Sequence, residues 1–165
     1  MSEIADVDPD SLEEDIACAM HTHVPVLITS RDSKERKRIA HTIHSGSTYA
    51  QGPFVSVNCA GPRQPLLATD LFGNRNEHLA GHDESGALAR AQGGTIFLDE
   101  VGELSPPVQA LFNQFLETSD VHSTLAVNVR VITASSRSLF ERVLTREFTE
   151  DLFYRLNVIH IRASR

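Results

Sequence analysis

Short apolar runs alternate with amphipathic stretches along most of the chain. "VPVLIT" (24–29), "FVSVN" (54–58), "TIFLD" (95–99), "VNVRVITAS" (127–135) and "VIHI" (158–161) are rich in β-branched residues and too short for buried helices. They predict five strands. The stretches between them carry helical spacing. "SKERKRIAHTIH" puts Ile39 and Ile43 four apart, "PLLATDLF" (65–72) and "ALARA" give two short helices, and "VQALFNQFLE" repeats apolar residues with Pro106 at the first helical position after Ser105. Two more helices are expected near 138–146 and 150–156. Ahead of the first strand, "SLEEDIACAMHTH" opens with Ser11 and Glu14 at capping-box spacing and places Leu12, Ile16 and Ala19 or Met20 on one face.

Strands alternating with helices, several of them unbroken apolar runs, indicate a parallel sheet buried on both faces. The predicted fold is a three-layer α/β/α sandwich with a five-stranded parallel sheet. Residues 1–23 read as an N-terminal leader and helix, and 24–165 as the α/β domain. The stretch from Gly73 to Gly86 is polar and glycine-punctuated, and it predicts no regular element.

At 165 residues, 41% of them apolar, the chain has room for one domain with a real core. Its formal charge of -7 disfavours direct binding to nucleic-acid phosphates. Cys18 and Cys59 form no CxxC pair, the first ten residues carry no apolar signal stretch, and no apolar run is long enough to cross a bilayer. A reduced, cytoplasmic setting without membrane contact is therefore expected. His41 with His44, and His78 with His82, lack a third ligand at diagnostic spacing, so no metal site is expected. Cys59 reads as a packing residue, and the charges of "KERKR" (34–38) as the solvated face of a helix.

The strongest chemical signal is "GGTIFLDEVGEL" (93–104), an apolar strand ending in Asp99 and Glu100. Ligands in open α/β sheets sit at the carboxyl ends of strands, where adjacent acids can hold Mg²⁺ and orient a water. On the pair alone, a solvated acidic strand end is an equal alternative. The surrounding text adds more: "VLIT", "AHTIHSGS", "PFVSVNCAG", "LLATDLFG", "GALARAQGGTIFLDEVGELS", "VRVITASSRSL" and "REFTEDLFYRLNVIHIR". In order and spacing, from about residue 24 onward, these resemble the AAA+ domain of bacterial sigma-54-dependent transcription activators, a P-loop NTPase fold.

The resemblance implies roles for individual residues. Asp99 falls on the Walker B metal-side acid and Glu100 on the water-polarising one, while Asn58 matches the residue that restrains that glutamate. Ser135 and Ser136 stand at the sensor I position, usually Thr-Asn. Arg155 matches one of two arginine-finger positions, and Thr149 stands at the other. The family's phosphate-loop pattern GESGTGKE falls without a gap on residues 30–37. Ser30, Ser33 and Glu35 then replace its three glycines, Arg36 replaces its lysine, and Lys37 comes one position late. Glycines let such a loop adopt φ > 0 and wrap its N–H groups around phosphate. Left-handed backbone costs other residues about 1–2 kcal/mol each. The loop is expected to refold rather than cradle a nucleotide.

In the same register, the family's sigma-54-contacting GAFTGA loop falls on "EHLAGH" (77–82), which keeps only Gly81. Direct contact with sigma-54 is therefore not expected. The chain also stops before the family's helical lid. Family members use ATP and Mg²⁺, but no cofactor is expected here. The expected function is a non-catalytic pseudo-ATPase module in transcription regulation. It would act by contact with an AAA+ activator subunit or another regulatory protein. The alternative is an ATP-binding, sigma-54-interacting activator domain with weak nucleotide affinity.

Overall fold

A computed structural model describes residues 9–73, 85–120 and 128–163. Within these, five strands, β1 (Val26–Thr29), β2 (Phe54–Asn58), β3 (Thr95–Asp99), β4 (Arg130–Ser135) and β5 (Ile159–Arg162), form one parallel sheet in the order β2-β3-β4-β1-β5. The helices are α1 (Pro9–Met20), α2 (Ser33–Ser45), α3 (Leu67–Phe72), α4 (Ala87–Arg90), α5 (Pro106–Asp120), α6 (Leu139–Leu144) and α7 (Glu150–Leu156). This is the three-layer sandwich that the alternation predicts.

The apolar runs are unbroken because both faces of the sheet are covered. Val26 and Ile28 of β1 join Phe97, Ile132, Ala134 and Ile161 under Ile16 and Ala19 of α1 and Ile39, Ala40 and Ile43 of α2. Leu27 faces the other way, with Ile96, Leu98 and Val131, into a core closed by Leu71 of α3, Leu88 of α4, Phe112 of α5 and Leu152 and Leu156 of α7. Complete burial of a side chain such as Phe97 or Leu98 is worth about 1.5–3 kcal/mol. α1 lies on α2 and β5, so the segment ahead of β1 belongs to the same core.

Several element ends differ from the pattern-based expectation. α1 starts at Pro9, which puts Ser11 inside the first turn and removes it as the capping residue. Val24 and Pro25 precede β1, although the Pro25 carbonyl accepts from Ile159 N (3.3 Å). β4 begins at Arg130, not at residue 127, and β5 runs one residue later than expected. β2, β3 and α7 have the expected bounds. Gly94 permits a close approach just ahead of β3: a Cβ there would stand 2.0 Å from the Pro53 carbonyl oxygen, where β2 and β3 begin to pair. The loop "EHLAGH" and the pair His78 and His82 lie outside the described residues.

The strand order decides what can meet. β4 lies between β3 and β1, so the turns after β1, β3 and β4 open side by side at the carboxyl edge of the sheet.

Candidate functional site

The turn after β3 carries the two acids. Asp99 ends the strand, and Glu100 follows in the left-handed conformation (φ 54°, ψ 47°) before a single 3₁₀ turn at Val101–Glu103. A left-handed glutamate is disfavoured by about 1–2 kcal/mol, so the surroundings must hold it. They do so from two sides. Ser136, after β4, donates to Glu100 Oε2 through its N–H (3.2 Å) and its hydroxyl (3.1 Å). Arg36 of α2 supplies the other hold, with Nη2 2.9 Å from Glu100 Oε1.

Arg36 is the centre of the arrangement. Its Nε donates to Asp99 Oδ1 at 2.7 Å, Nη2 lies 3.4 Å from Asp99 Oδ2, and Nη1 donates to the carbonyls of Ser30 (2.7 Å) and Arg31 (3.2 Å). One guanidinium thus spans both acids and the turn after β1. Its side chain is 4% exposed, against 18% for Asp99 and 20% for Glu100. A buried cation is tolerated only when paired and hydrogen-bonded, and here both conditions are met.

Sequence reading put Arg36 on a solvated helix face; the structure corrects this. Lys34, Lys37 and Arg38 are exposed, but Arg36 is not. The signal was available, because Arg36, Ile39, Ala40 and Ile43 recur at i, i+3, i+4 and i+7, which puts the arginine on the buried face of α2. Missing was any local cue to the two carboxylates, more than sixty residues further on.

The turn after β1 has become an ordinary helix start. Asp32 is the N-cap of α2 in extended conformation (φ -83°, ψ 115°), and its carboxylate accepts from Lys34 N at 2.9 Å. Ser30 Oγ donates to Glu35 Oε2 at 2.7 Å and accepts from Asp32 N at 3.2 Å. No residue from Ser30 to Lys37 has a positive φ. The Lys34 amide of the first turn is satisfied by the Asp32 carboxylate, and Glu35 places a second negative charge near the positive end of the helix.

Three comparisons bear on this geometry. A family model described as the sigma-54 interaction domain matches residues 6–162. The chain belongs to the sigma-54 interaction domain family. Among curated relatives it is 37% identical over 155 residues to the regulatory protein AtoC of Escherichia coli, and 39% identical over 144 residues to the Nif-specific regulatory protein of Azotobacter vinelandii. These matches cover 90% and 83% of this chain but only 34% and 28% of the relatives, so the chain spans about a third of their length. Among solved structures, NtrX from Brucella abortus in complex with ATP superposes with a TM-score of 0.81 at 29% identity, over 99% of this chain and 39% of that one. The P-loop NTPase domain of a sigma-54 activator from E. coli shares the fold, with a TM-score of 0.63 at 20% identity over 86% of this chain and 98% of that one.

Other family positions are placed as follows. Asn58 ends β2, beside Asp99 in the register, and its Oδ1 accepts from Ala60 N (3.0 Å), while the described bonds of Glu100 go to Ser136 and Arg36. Ser135 is buried, with Oγ donating to the Arg137 carbonyl at 2.8 Å. Arg155 sits in the last turn of α7 with Nη2 3.1 Å from Glu117 Oε1 of α5. Thr149 stands at the N-cap position of α7 without a side-chain cap bond, and its N–H donates to Gln109 Oε1 at 2.9 Å. Ser33 and Lys37 are exposed on α2. The structure therefore joins Ser30, Glu35, Arg36, Asp99, Glu100 and Ser136 into one network and leaves Asn58 and Arg155 to other partners.

Cys59 is fully buried next to this network, and burial pushes its thiol up to about 12, with Asp99 and Glu100 adding to the effect. It is a packing residue, not a nucleophile. His44 is buried at the other end of the sheet, with Nδ1 2.8 Å from Thr95 Oγ1 and its ring tilted at 55° against that of Phe54. No group of three or more metal-ligating side chains occurs among the described residues. Nor is any helix among them long and apolar enough to cross a membrane.

Proposed function

We propose that this sigma-54 interaction domain is a pseudo-ATPase module that takes part in transcription regulation through protein contacts rather than nucleotide turnover. What carries the reading is the seat of Arg36. A magnesium-bound nucleotide needs the Asp99 and Glu100 oxygens for metal and water, and a bed of free N–H groups for phosphate. In the arrangement described here a guanidinium lies on those oxygens, and Asp32 caps the helix that follows. The chain's own charges stand at both positions, so these residues fit the family's cofactor poorly.

The relation to AtoC and the Nif-specific regulator supports transcription regulation as the setting. An AAA+ activator subunit is the first partner to consider, because the sheet and Arg155 are kept. The alternative, an ATP-binding domain of the ordinary kind, draws its support from the bound nucleotide of the NtrX structure and from the retained Asp99 and Glu100.

Calorimetric titration with Mg-ATP separates the two readings. The expected result is no binding tighter than about 100 μM, a free energy near -5.5 kcal/mol. A tighter, magnesium-dependent isotherm would establish the ordinary ATP-binding domain instead. For the partner, the expected result is a changed ATPase rate when the protein is added to an intact activator of the family. A strictly monomeric chain with no such effect would remove the docking role.

A further inference from the structure

Among the described residues, β2 is an outer strand of the sheet and pairs with β3 alone. The ladder shows which of its main-chain groups point away. Thr95 N donates to Pro53 O (2.8 Å) and Cys59 N donates to Asp99 O (2.9 Å), so the odd-numbered residues from 53 to 59 turn their peptide groups toward β3. Successive residues of a strand alternate, and Phe54, Ser56 and Asn58 therefore present N–H and C=O outward. Ser56 and Asn58 are exposed, and none of the three main chains has a hydrogen-bond partner on that side among the described residues.

Exposed edges invite another strand, and proteins usually protect them with lysine, proline or a bulge. "FVSVN" carries none of these within the strand. Instead a cavity of about 770 Å³ runs beside it, lined by Ser56, Asn58, Gly61, Arg63, Asp70 and Arg90 among others. Arg63 is committed to Asp70, with Nε and Nη2 at 2.9 and 2.7 Å from its two oxygens. Arg90, the last residue of α4, is exposed; its side chain has no hydrogen bond or ion pair among the described residues, and its charge acts with that of Arg63 on the Asp70 carboxylate. The cavity thus joins an unpaired peptide edge to two arginines that share one carboxylate, Asp70.

We propose that β2 receives an extended peptide segment of a partner protein as a sixth strand, with an acidic side chain of that segment on Arg90. The outward N–H and C=O groups at Ser56 and Asn58 recognise the backbone, and Arg90 selects for the carboxylate. This is the strand-addition mode of peptide recognition, in which main-chain bonds give affinity and side-chain pockets give specificity. The surface does not use Arg36. It stands whether or not the domain binds nucleotide, and it gives the docking proposed above a defined chemistry.

The test starts from a random-peptide phage library selected on the immobilised protein, with the enriched peptides remade as fluorescein conjugates for anisotropy. The expected peptides carry an aspartate or glutamate among β-branched residues. Arg90→Ala and Ser56→Pro are each expected to weaken binding by about tenfold or more, the loss of roughly one good hydrogen bond or ion pair. Ser56→Pro removes an outward N–H and leaves the β3 ladder intact, and thermal melting checks that both variants fold. Should the proline variant unfold, N-methylation of alternate peptide residues asks the same question from the ligand's side, and one of the two registers is expected to abolish binding. The proposal is overturned if the selected peptides bind wild type, Arg90→Ala and Ser56→Pro alike, or tolerate N-methylation in both registers. It is also overturned if acids are not enriched, or if the edge is taken up by a second copy in a dimer that Ser56→Pro dissolves.

Discussion

The turns after β1 and β3 lie side by side at the same edge of the sheet, yet they have been resolved in opposite ways. The turn after β1 contains no left-handed residue, caps its helix with Asp32 and closes on itself through Ser30 and Glu35. The turn after β3 keeps Glu100 at φ 54° and depends on groups from α2 and β4 to hold it there. One turn is locally self-sufficient; the other is strained and stabilised from a distance. Strain of that kind persists where the surrounding structure over-determines it. Here the over-determination comes from Arg36, the residue that ties the two turns together.

Cutting that tie should have the largest effect. Arg36→Ala leaves two adjacent, partly buried carboxylates without their cation, and the expected loss is about 3–5 kcal/mol in denaturant unfolding. A loss below about 1 kcal/mol, the range of an exposed ion pair, would mean that the acid turn is held by Ser136 alone. Asp32→Ala attacks the other turn, where only a cap is at stake, and about 1 kcal/mol is expected from the same measurement. If the two variants cost the same, the contrast between a self-sufficient turn and a supported one fails.

The smallest effect is a pH dependence. His160 of β5 backs the first turn through Nε2, 2.8 Å from Thr29 Oγ1, and burial lowers its pKa, as it does for His44. A histidine whose folded pKa lies below its ordinary value of about 6.5 favours the folded state only while neutral. Its contribution is therefore complete above about 6.5 and is lost as pH falls through the lowered folded value. The melting temperature should drop on acidification below about pH 6.5. Replacing both histidines, His44→Gln with His160→Gln, should flatten that slope. Asp32→Ala should leave the slope unchanged, since the cap contains no histidine.

The fold was legible because its signals are local. "VLIT", "TIFLD" and "RVITAS" can be read as buried strands from their own composition, and Pro106 marks a helix start where it stands. The candidate site was legible only in part. Asp99 and Glu100 announce themselves at a strand end, and the missing glycines are visible at 30, 33 and 35. The destination of Arg36 was not, since its partners come from another strand and "KERKR" looks like any charged helix surface. Glu100's support from Ser136 depends likewise on β3 and β4 being neighbours, a fact of topology rather than of spacing.

Arg36 differs from a bound ion in one respect that matters outside the test tube. It is attached to the chain, so its presence at Asp99 and Glu100 is set by an intramolecular equilibrium and is not diluted or chelated away as a free ligand would be. Falling magnesium or a swing in the ratio of ATP to ADP would not vacate its place. A domain in which this ion pair stays closed would present the same face at that edge of the sheet in a starved cell as in a growing one.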